Sequence, residues 1–203
     1  MNDTKEMVRV SKPRKTLFSE GPDRGAVVIA LNFKDKRATE MSKDDIISEV
    51  LDIKVPKVMI KARLLDNPVV RELAAGFAMK GKHVTVITDA SDDIQTLRSL
   101  RNVNLVVNTE PPTETSNKIR TSNFPLLREH DIIRFVLRSK EDYANAKVFL
   151  NSRLVTRPLV VFSIKKSFDG FDEVLEEFQG DAEFWNFRAR MCSPDALSFL
   201  ANK

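Results

Sequence analysis

Six basic side chains lie within or shortly after predicted strands, where α/β proteins carry their functional groups. They are Lys34, Lys36, Arg37, Lys61, Arg63 and Arg134. Because the carboxyl ends of parallel strands meet at one edge of a sheet, these cations are predicted to lie together, and we call them the basic rim. Such a rim suits phosphate groups or the acidic surface of a protein partner. The competing interpretation is a set of solvated basic loops.

Polar side chains mark the ends of two further predicted strands. They are Thr88, Asp89, Ser91, Asn108 and Glu110. At the same edge of the sheet they would line a residual pocket, in which the carboxylates of Asp89 and Glu110 could serve acid–base chemistry. The competing interpretation is that these carboxylates cap loops. No residue of the chain is assigned a catalytic role.

Histidine and cysteine are scarce in this chain. His83 and His130 fall at the start of one strand and just before another, where a surface position is expected. Cys192 is the single cysteine, which excludes a disulfide within the chain and argues against a zinc site. Gly21 and Gly25 bracket a turn but lack the lysine–threonine continuation of a phosphate-binding loop. We therefore predict no metal and no cofactor.

Composition limits the class of protein. The chain has 203 residues, enough for a domain with a real core, and 42% hydrophobic with 31% charged residues is usual for globular proteins. The net charge of +4 permits an acidic partner without requiring one. No apolar run approaches the ~18 residues of a membrane span, and the first residues lack the apolar core of a signal peptide. We expect a cytoplasmic protein that does not enter a membrane.

Strand and helix patterns alternate along the chain. Apolar runs rich in β-branched residues predict six strands, at Ala26–Leu31, Lys57–Ile60, His83–Thr88, Val103–Val107, Asp131–Leu137 and Leu159–Ile164. The helices between them have end signals: Ser42 caps the first, Pro68 opens the second and Gly81 ends it. The alternation predicts an α/β fold, either a partial barrel or an open parallel sheet with outer helices. We expect a flexible N-terminal arm over residues 1–15 and one domain over residues 16–203.

The last quarter of the chain is rich in aromatic residues. Most are expected in the core, but Phe184–Phe187 could also form a surface onto which a partner docks. Ser193 and Pro194 predict the start of a last helix that runs to Leu200. Before this region, Asn108–Asn123 is rich in Thr, Ser, Asn, Pro and Glu, and it is predicted to be a long loop.

Four stretches, in their order and spacing, carry a resemblance to a known family. A glycine-bracketed turn, Ser19–Gly25, feeds the first strand, and Met41–Ile47 opens a helix. Gly81–Ser91 forms the third strand with its polar end, and Asp131–Val136 lies in the fifth. From Thr16 to the C-terminus the chain resembles the 7-carboxy-7-deazaguanine synthases of the radical SAM superfamily. The resemblance implies an incomplete barrel that holds a [4Fe–4S] cluster and SAM.

Two departures from that family decide the functional prediction. The family's cluster is held by three cysteines in the loop after the first strand, whereas the matching loop here, Asn32–Thr39, contains none. The family's glycine-rich and acidic SAM-binding segment is replaced by Met59–Arg63, whose cations would repel the sulfonium of SAM. The sequence therefore predicts a pseudoenzyme without an iron–sulfur cluster. It would act as a binding, regulatory or structural subunit through the basic rim or Phe184–Phe187.

Two partner classes and one alternative function stay open. A protein partner or assembly is expected, and nucleic acid is a second class that the basic rim would fit. The alternative function is a cluster-independent enzyme or ligand-binding protein of deazaguanine or pterin metabolism that keeps a purine-like pocket. The polar strand ends Thr88–Asp89 and Asn108–Glu110 favour this alternative.

Overall fold

A computed structural model of the chain describes residues 7–10, 14–15, 25–31, 38–62, 65, 68–89, 91–113, 120–153, 158–165, 170–182 and 189–192. Contacts group the chain into two compact units. The N-terminal unit is Met1–Thr88 with Asp92–Asn104, and the C-terminal unit is Asp89–Ser91 with Leu105–Lys203. Each unit combines strands with helices, so the predicted α/β class is confirmed. Within the described ranges, no helix is long and apolar enough to cross a membrane.

The N-terminal unit contains a mixed sheet. Its strands are β1 (Met7–Val10), β2 (Arg14–Lys15), β3 (Val27–Leu31), β4 (Thr39–Ser42), β5 (Lys57–Ala62) and β6 (His83–Thr88). β3, β5 and β6 are parallel neighbours, as the β-α-β pattern predicts. β1 pairs antiparallel with both β3 and β4, and β2 pairs antiparallel with β3. These three additional strands have at most four residues each, too few for a clear sequence signal.

Two of the additional strands lie within residues 1–15, for which the sequence predicts a flexible arm. In β1, Val8 and Val10 are buried while Met7 and Arg9 are exposed. This is the period of two that a half-buried strand requires. The two buried valines and the pairing with two neighbouring strands make Met7–Val10 part of the sheet. Apart from Arg14–Lys15, the rest of the predicted arm lies outside the described residues.

Local signals set the ends of the helices in this unit. The helices are α1 (Lys43–Asp52), α2 (Pro68–Met79) and the short α3 (Gln95–Arg98). Ser42 caps α1, since its Oγ accepts the backbone N–H of Asp45 at 3.2 Å. Gly81 follows α2 with a φ of 74°, a left-handed conformation in which other residues are strained. The predicted cap, the proline start and the glycine stop are all confirmed.

The C-terminal unit is built on parallel strands. They are β7 (Val103–Thr109, in this unit from Leu105 onward), β8 (Ile132–Leu137), β9 (Leu159–Ile164) and β10 (Ala189–Cys192). Neighbours in this order pair in parallel. A 3-10 helix at Thr121–Leu126, α4 (Lys140–Arg153) and α5 (Phe171–Ala182) accompany them. β10 is not among the six strands that the sequence predicts.

One face of this parallel sheet is aromatic. Phe135 on β8 and Phe162 on β9 stack with ring centroids 6.2 Å apart. Tyr143 of α4 meets the ring of Phe162 edge-on at 5.2 Å, and Phe178 of α5 does the same at 6.0 Å. Phe149 of α4 contacts Phe135. Both long helices of the unit therefore pack on this side, which we call the aromatic face.

A shared charge joins the two helices on the aromatic face. Lys147 Nζ of α4 lies 2.6 Å from Glu177 Oε1 and 2.7 Å from Asp181 Oδ2, both on α5. The hydroxyl of Tyr143 donates a hydrogen bond to the same Asp181 oxygen at 3.0 Å. Lys147 Nζ also lies 4.9 Å from the centroid of the Tyr143 ring, within cation–π range. These contacts fix α4 against α5 above the sheet.

Candidate functional site

The register of the C-terminal unit aligns polar side chains across its four strands. Asn108 on β7 is aligned with Arg134 on β8. Arg134 is aligned with Val161 on β9, which is aligned in turn with Arg190 on β10. Aligned residues of parallel strands point to the same side of a sheet. Asn108, Arg134 and Arg190 therefore share one face.

A second row on the same face lies two residues nearer the carboxyl ends of the strands. Ser163 on β9 is aligned with Cys192 on β10. Because side chains alternate between faces, Ser163 shares the face of Val161, and Cys192 shares that of Arg190. Phe135 and Phe162, which flank these positions in sequence, point to the aromatic face. We call the set the polar face; it consists of Asn108, Arg134, Ser163, Arg190 and Cys192.

Arg134 is the most deeply placed charge of the polar face. Arg134 is only 4% exposed, and its Nε donates a hydrogen bond of 2.7 Å to Ser163 Oγ. Ser163 is fully buried and is aligned with Val136, two residues beyond Arg134. The arginine side chain therefore leans toward the carboxyl ends of the strands. Burial lowers the pKa of Arg134, but a guanidinium stays charged at any physiological pH.

Cys192 reports the electrostatics of the polar face. Burial raises the pKa of this half-buried thiol, while the positive charges of Arg134 and Arg190 act in the opposite direction. Because burial outweighs the two cations, Cys192 is a protonated thiol at neutral pH.

Asn108 places on the same face a side-chain oxygen, Oδ1, that has no hydrogen-bond donor among the described residues. The residue is half-buried, but its Oδ1 is buried and accepts no hydrogen bond within the described part of the chain. A buried carbonyl oxygen without a donor is unfavourable, and such groups often have a functional reason. The polar face therefore combines two arginines, a serine hydroxyl, a thiol and an amide oxygen that accepts no hydrogen bond from the described residues.

Asp89 and Glu110, two of the residues predicted to line a residual pocket, make local contacts. Asp89 Oδ1 accepts hydrogen bonds from the backbone N–H of Ser91 at 3.1 Å and from its Oγ at 2.7 Å. The carboxylate of Asp89 thus closes a local turn, which is the capping interpretation. Glu110 is exposed and forms an ion pair with Arg138. Of the five predicted residues, Asn108 alone lies on the polar face.

Thr88 is buried, and the two histidines are exposed. Thr88 ends β6 in the N-terminal unit and is 2% exposed. His83 and His130 are exposed, as their positions in the sequence predict.

The basic rim is described at two of its six positions. Lys61 is half-buried in β5, aligned with Ala30 on one side and Ile87 on the other. Arg134 is buried in β8 of the C-terminal unit. The other four lie outside the described residues, as does Phe184–Phe187; they are Lys34, Lys36, Arg37 and Arg63. The rim as a whole stays a prediction.

The donor set of the chain does not fit the cofactor that the resemblance implies. A [4Fe–4S] cluster of the radical SAM type takes three thiolates from the chain. Cys192 is the chain's one cysteine, and it lies in β10 rather than after the first predicted strand. In the parts of the chain that the structure describes, no three His, Cys, Asp or Glu side chains come together as a metal site would require.

Comparison with models of known protein families and with curated protein sequences gives no match. Sequence reasoning selected Arg134 and Asn108 but missed Ser163, Arg190 and Cys192. A signal for Ser163 exists, because it is the one polar residue in the strand Leu-Val-Val-Phe-Ser-Ile and a buried hydroxyl needs a partner.

Proposed function

We propose that this chain is a binding protein on an α/β scaffold resembling the radical SAM family, and that it performs no radical chemistry. The observation that carries the proposal is the position of its single thiol. Cys192 lies on β10, where it is aligned with Ser163 of β9. Burial raises the pKa of its thiol, and it is the only cysteine in the sequence. A cluster that requires three thiolates cannot be held by one.

Iron incorporation tests this part of the proposal. The protein is reconstituted anaerobically with iron and sulfide, and bound iron and visible absorbance are measured. Wild type and Cys192→Ser are expected to retain equal, substoichiometric iron without cluster absorbance. About four irons per chain, together with a charge-transfer band that Cys192→Ser loses, would contradict the proposal.

The partner that we propose is an acidic protein surface, bound through the basic rim. Its support is the clustering in sequence of five cations at the end of, or shortly after, two strands that are parallel neighbours, β3 and β5. Charges gathered in adjacent loops give a local potential larger than the net charge of +4 indicates. In this role the chain is a subunit or regulator within a cytoplasmic assembly.

A double variant tests the rim. Lys61→Ala with Arg63→Ala is compared with Lys80→Ala with Arg101→Ala, which removes the same charge at two exposed positions. Binding to a polyglutamate peptide is measured across a salt series. We expect weaker binding and a flatter salt dependence in the first variant alone. Equal losses of affinity in both double variants would show that the basic rim is not the binding site. If the protein binds a single-stranded oligonucleotide more tightly than the peptide, the partner class is nucleic acid rather than an acidic protein.

The alternative function, a cluster-independent ligand-binding protein, has its own supporting observation. Asn108 and Arg134, both selected from the sequence, are aligned neighbours on β7 and β8. Both residues belong to the polar face.

A further inference from the structure

We propose that the N-terminal unit binds the phosphate backbone of a nucleic-acid duplex through cations at the amino ends of its parallel strands. The cations belong to three short segments, 53–57, 79–83 and 100–102, which lead into β5, β6 and β7. We call them the amino-edge cluster; its members are Lys54, Lys80, Lys82 and Arg101. The inference goes beyond the proposed function, because the cluster lies at the opposite end of β5 from Lys61 and takes a different class of partner.

Backbone hydrogen bonds hold the three segments side by side. The N–H of His83 donates to the carbonyl oxygen of Pro56 at 2.9 Å, which joins the start of β6 to that of β5. The N–H of Val84 donates to the carbonyl oxygen of Asn102 at 2.9 Å, which joins β6 to the start of β7. Two strand spacings, about 10 Å, therefore separate the starts of β5 and β7.

Three of the four cations of the cluster lie at the surface. Lys54, Lys80 and Arg101 are exposed. Lys82 is half-buried, and its Nζ donates a hydrogen bond of 2.6 Å to the carbonyl oxygen of Val55, which follows Lys54 directly. This contact brings the charge of Lys82 to the segment that carries Lys54. The three segments contain no aspartate or glutamate, so no carboxylate from within them neutralises these charges.

Lys54 has a backbone conformation that is unfavourable for a residue with a side chain. Its φ is 51°, in the left-handed region, where a Cβ is strained and glycine is preferred. Gly81 has a φ of 74°, and both residues stand two positions after the last residue of a helix. The chain therefore has a lysine at a position that suits glycine. Strain of this kind often marks a functional residue.

The composition of the cluster favours a phosphate backbone over a protein surface. Protein–protein interfaces are depleted in lysine and enriched in aromatic residues. Here three of the four cations are lysines, and the three segments contain no Phe, Tyr or Trp. A duplex carries one negative charge per ~1.7 Å of its axis, about twice the linear density of an extended acidic peptide. A ~10 Å length of duplex thus carries about six phosphates, which suits cations gathered over that distance.

Fluorescence anisotropy of a short labelled DNA duplex tests the proposal on the full chain. Two duplexes of unrelated sequence should bind with equal affinity, and this affinity should fall steeply as the salt concentration rises. A clear preference for one sequence, or no binding at low salt, would overturn the proposal. Tighter binding of polyglutamate than of either duplex at the same salt concentration would also overturn it, because the partner would then be an acidic protein surface.

Two double variants locate the binding of the duplex. Lys80→Ala with Arg101→Ala should weaken it by about tenfold or more. The same variant should reduce the slope of log affinity against log salt concentration by about two, one for each lost phosphate contact. Lys61→Ala with Arg63→Ala should leave duplex binding unchanged. Equal losses in both double variants, or a loss in the second alone, would show that the amino-edge cluster is not the site.

The same pair of double variants separates this proposal from the basic rim. The rim predicts that polyglutamate binding falls with Lys61→Ala and Arg63→Ala, whereas the amino-edge cluster predicts that duplex binding falls with Lys80→Ala and Arg101→Ala. Each proposal is thus measured with its own probe. Failure of the rim and failure of the amino-edge cluster are therefore distinguishable.

Lys54→Gly separates binding from folding. Glycine relieves the left-handed strain, so the variant should unfold at the same temperature as the wild type or higher. It also removes one cation, so it should weaken duplex binding and reduce the salt slope by about one. Lys165→Gln, which changes an exposed lysine of the C-terminal unit, is the control and should leave duplex binding unchanged. Duplex binding as tight in Lys54→Gly as in the wild type would overturn the proposal.

Discussion

The carboxylate of Asp131 accepts the backbone N–H of Leu105 on β7 through Oδ1 at 2.7 Å. Its Oδ2 accepts the backbone N–H of Arg128 at 2.6 Å, and its carbonyl oxygen accepts the N–H of Leu159 on β9 at 3.1 Å. Asp131 is 1% exposed and precedes β8 directly. One residue thus joins the starts of three neighbouring strands.

We expect Asp131→Ala to lower the free energy of unfolding by about 2–5 kcal/mol, because one buried and one partly buried N–H group lose their acceptor. Asp131→Asn keeps one acceptor and should cost about half as much. Urea denaturation measures both. Asp44→Ala, an exposed residue in the first turn of α1, is the control and should cost at most about 1 kcal/mol. Equal effects of Asp131→Ala and Asp44→Ala would contradict this account.

Gly81 has a left-handed backbone conformation and Gly180 lies in a helix, so replacing each by alanine should have opposite effects on stability. Gly81 has a φ of 74°, so Gly81→Ala should lower the free energy of unfolding by about 1–2 kcal/mol through strain alone. Gly180 lies in α5 with nothing within 4 Å of an added Cβ, so Gly180→Ala should raise it by about 0.5–1 kcal/mol. Thermal denaturation of the two variants should shift in opposite directions. Shifts of the same sign would show that one of the two conformations is not as described.

The helix contact at Tyr143 should make stability depend on alkaline pH. Burial, reinforced by the hydrogen bond to Asp181, raises the pKa of Tyr143. Burial alone would lower the pKa of Lys147, but Asp181 and Glu177 outweigh it, so that pKa is raised as well. Groups with raised pKa values stabilise the fold below their unfolded values and lose that contribution as pH rises. Tyr143 therefore contributes below pH ~10 and progressively less above it.

Tyr143→Phe isolates this effect. At pH 7 we expect the variant to be less stable by about 1 kcal/mol, the usual contribution of one hydrogen bond. Above pH ~10 the difference should shrink and then reverse, because only the wild type gains an ionised tyrosine on unfolding. Urea denaturation at several pH values measures it. A constant difference between the two proteins across that range would show that the tyrosine is not ionised on unfolding.

Cys192 should be a slow thiol. Because burial raises its pKa, alkylation by iodoacetamide at pH 7 should be slower than that of free cysteine and should accelerate only at higher pH. Arg190→Met removes an opposing cation and should slow it further. Cys192→Ser should change the free energy of unfolding by less than about 1 kcal/mol. Reaction faster than that of free cysteine would reveal an activated thiolate.

The parallel core of both units could be predicted because its signals are local. Val-Thr-Val-Ile in β6 and Leu-Val-Val-Phe-Ser-Ile in β9 are apolar runs, and their predicted bounds, His83–Thr88 and Leu159–Ile164, match the structure. β7 extends to Thr109, beyond the predicted end at Val107, because Asn108 and Thr109 pair with β8 despite their polarity. Pairing with a neighbouring strand outweighs local propensity at such positions.

The short strands could not be predicted for a physical reason. Arg14–Lys15 in β2 and Thr39–Ser42 in β4 gain their hydrogen bonds from partners distant in sequence. In the predicted long loop, Thr121–Leu126 forms a 3-10 helix that buries Phe124 against Phe149 of α4, a contact that composition does not encode. The predicted last helix, from Ser193 to Leu200, lies outside the described residues.

The candidate site was likewise predictable only where the signal lies within one strand. Arg134 was selected because it is a cation within a predicted strand. Its partners were not, since the alignment of Ser163, Arg190 and Cys192 follows from a register between strands about thirty residues apart, which periodicity within one strand cannot provide.

The chain contains one tyrosine, and Tyr143 is the residue at which α4, α5 and β9 meet. It is fully buried and touches an aromatic ring, a lysine and a carboxylate. The tyrosine part of the near-ultraviolet circular dichroism therefore reports on the packing of α4 against β9 and α5. A partly folded state that keeps its strands but releases this helix would lose the tyrosine band while its far-ultraviolet spectrum still shows ordered backbone.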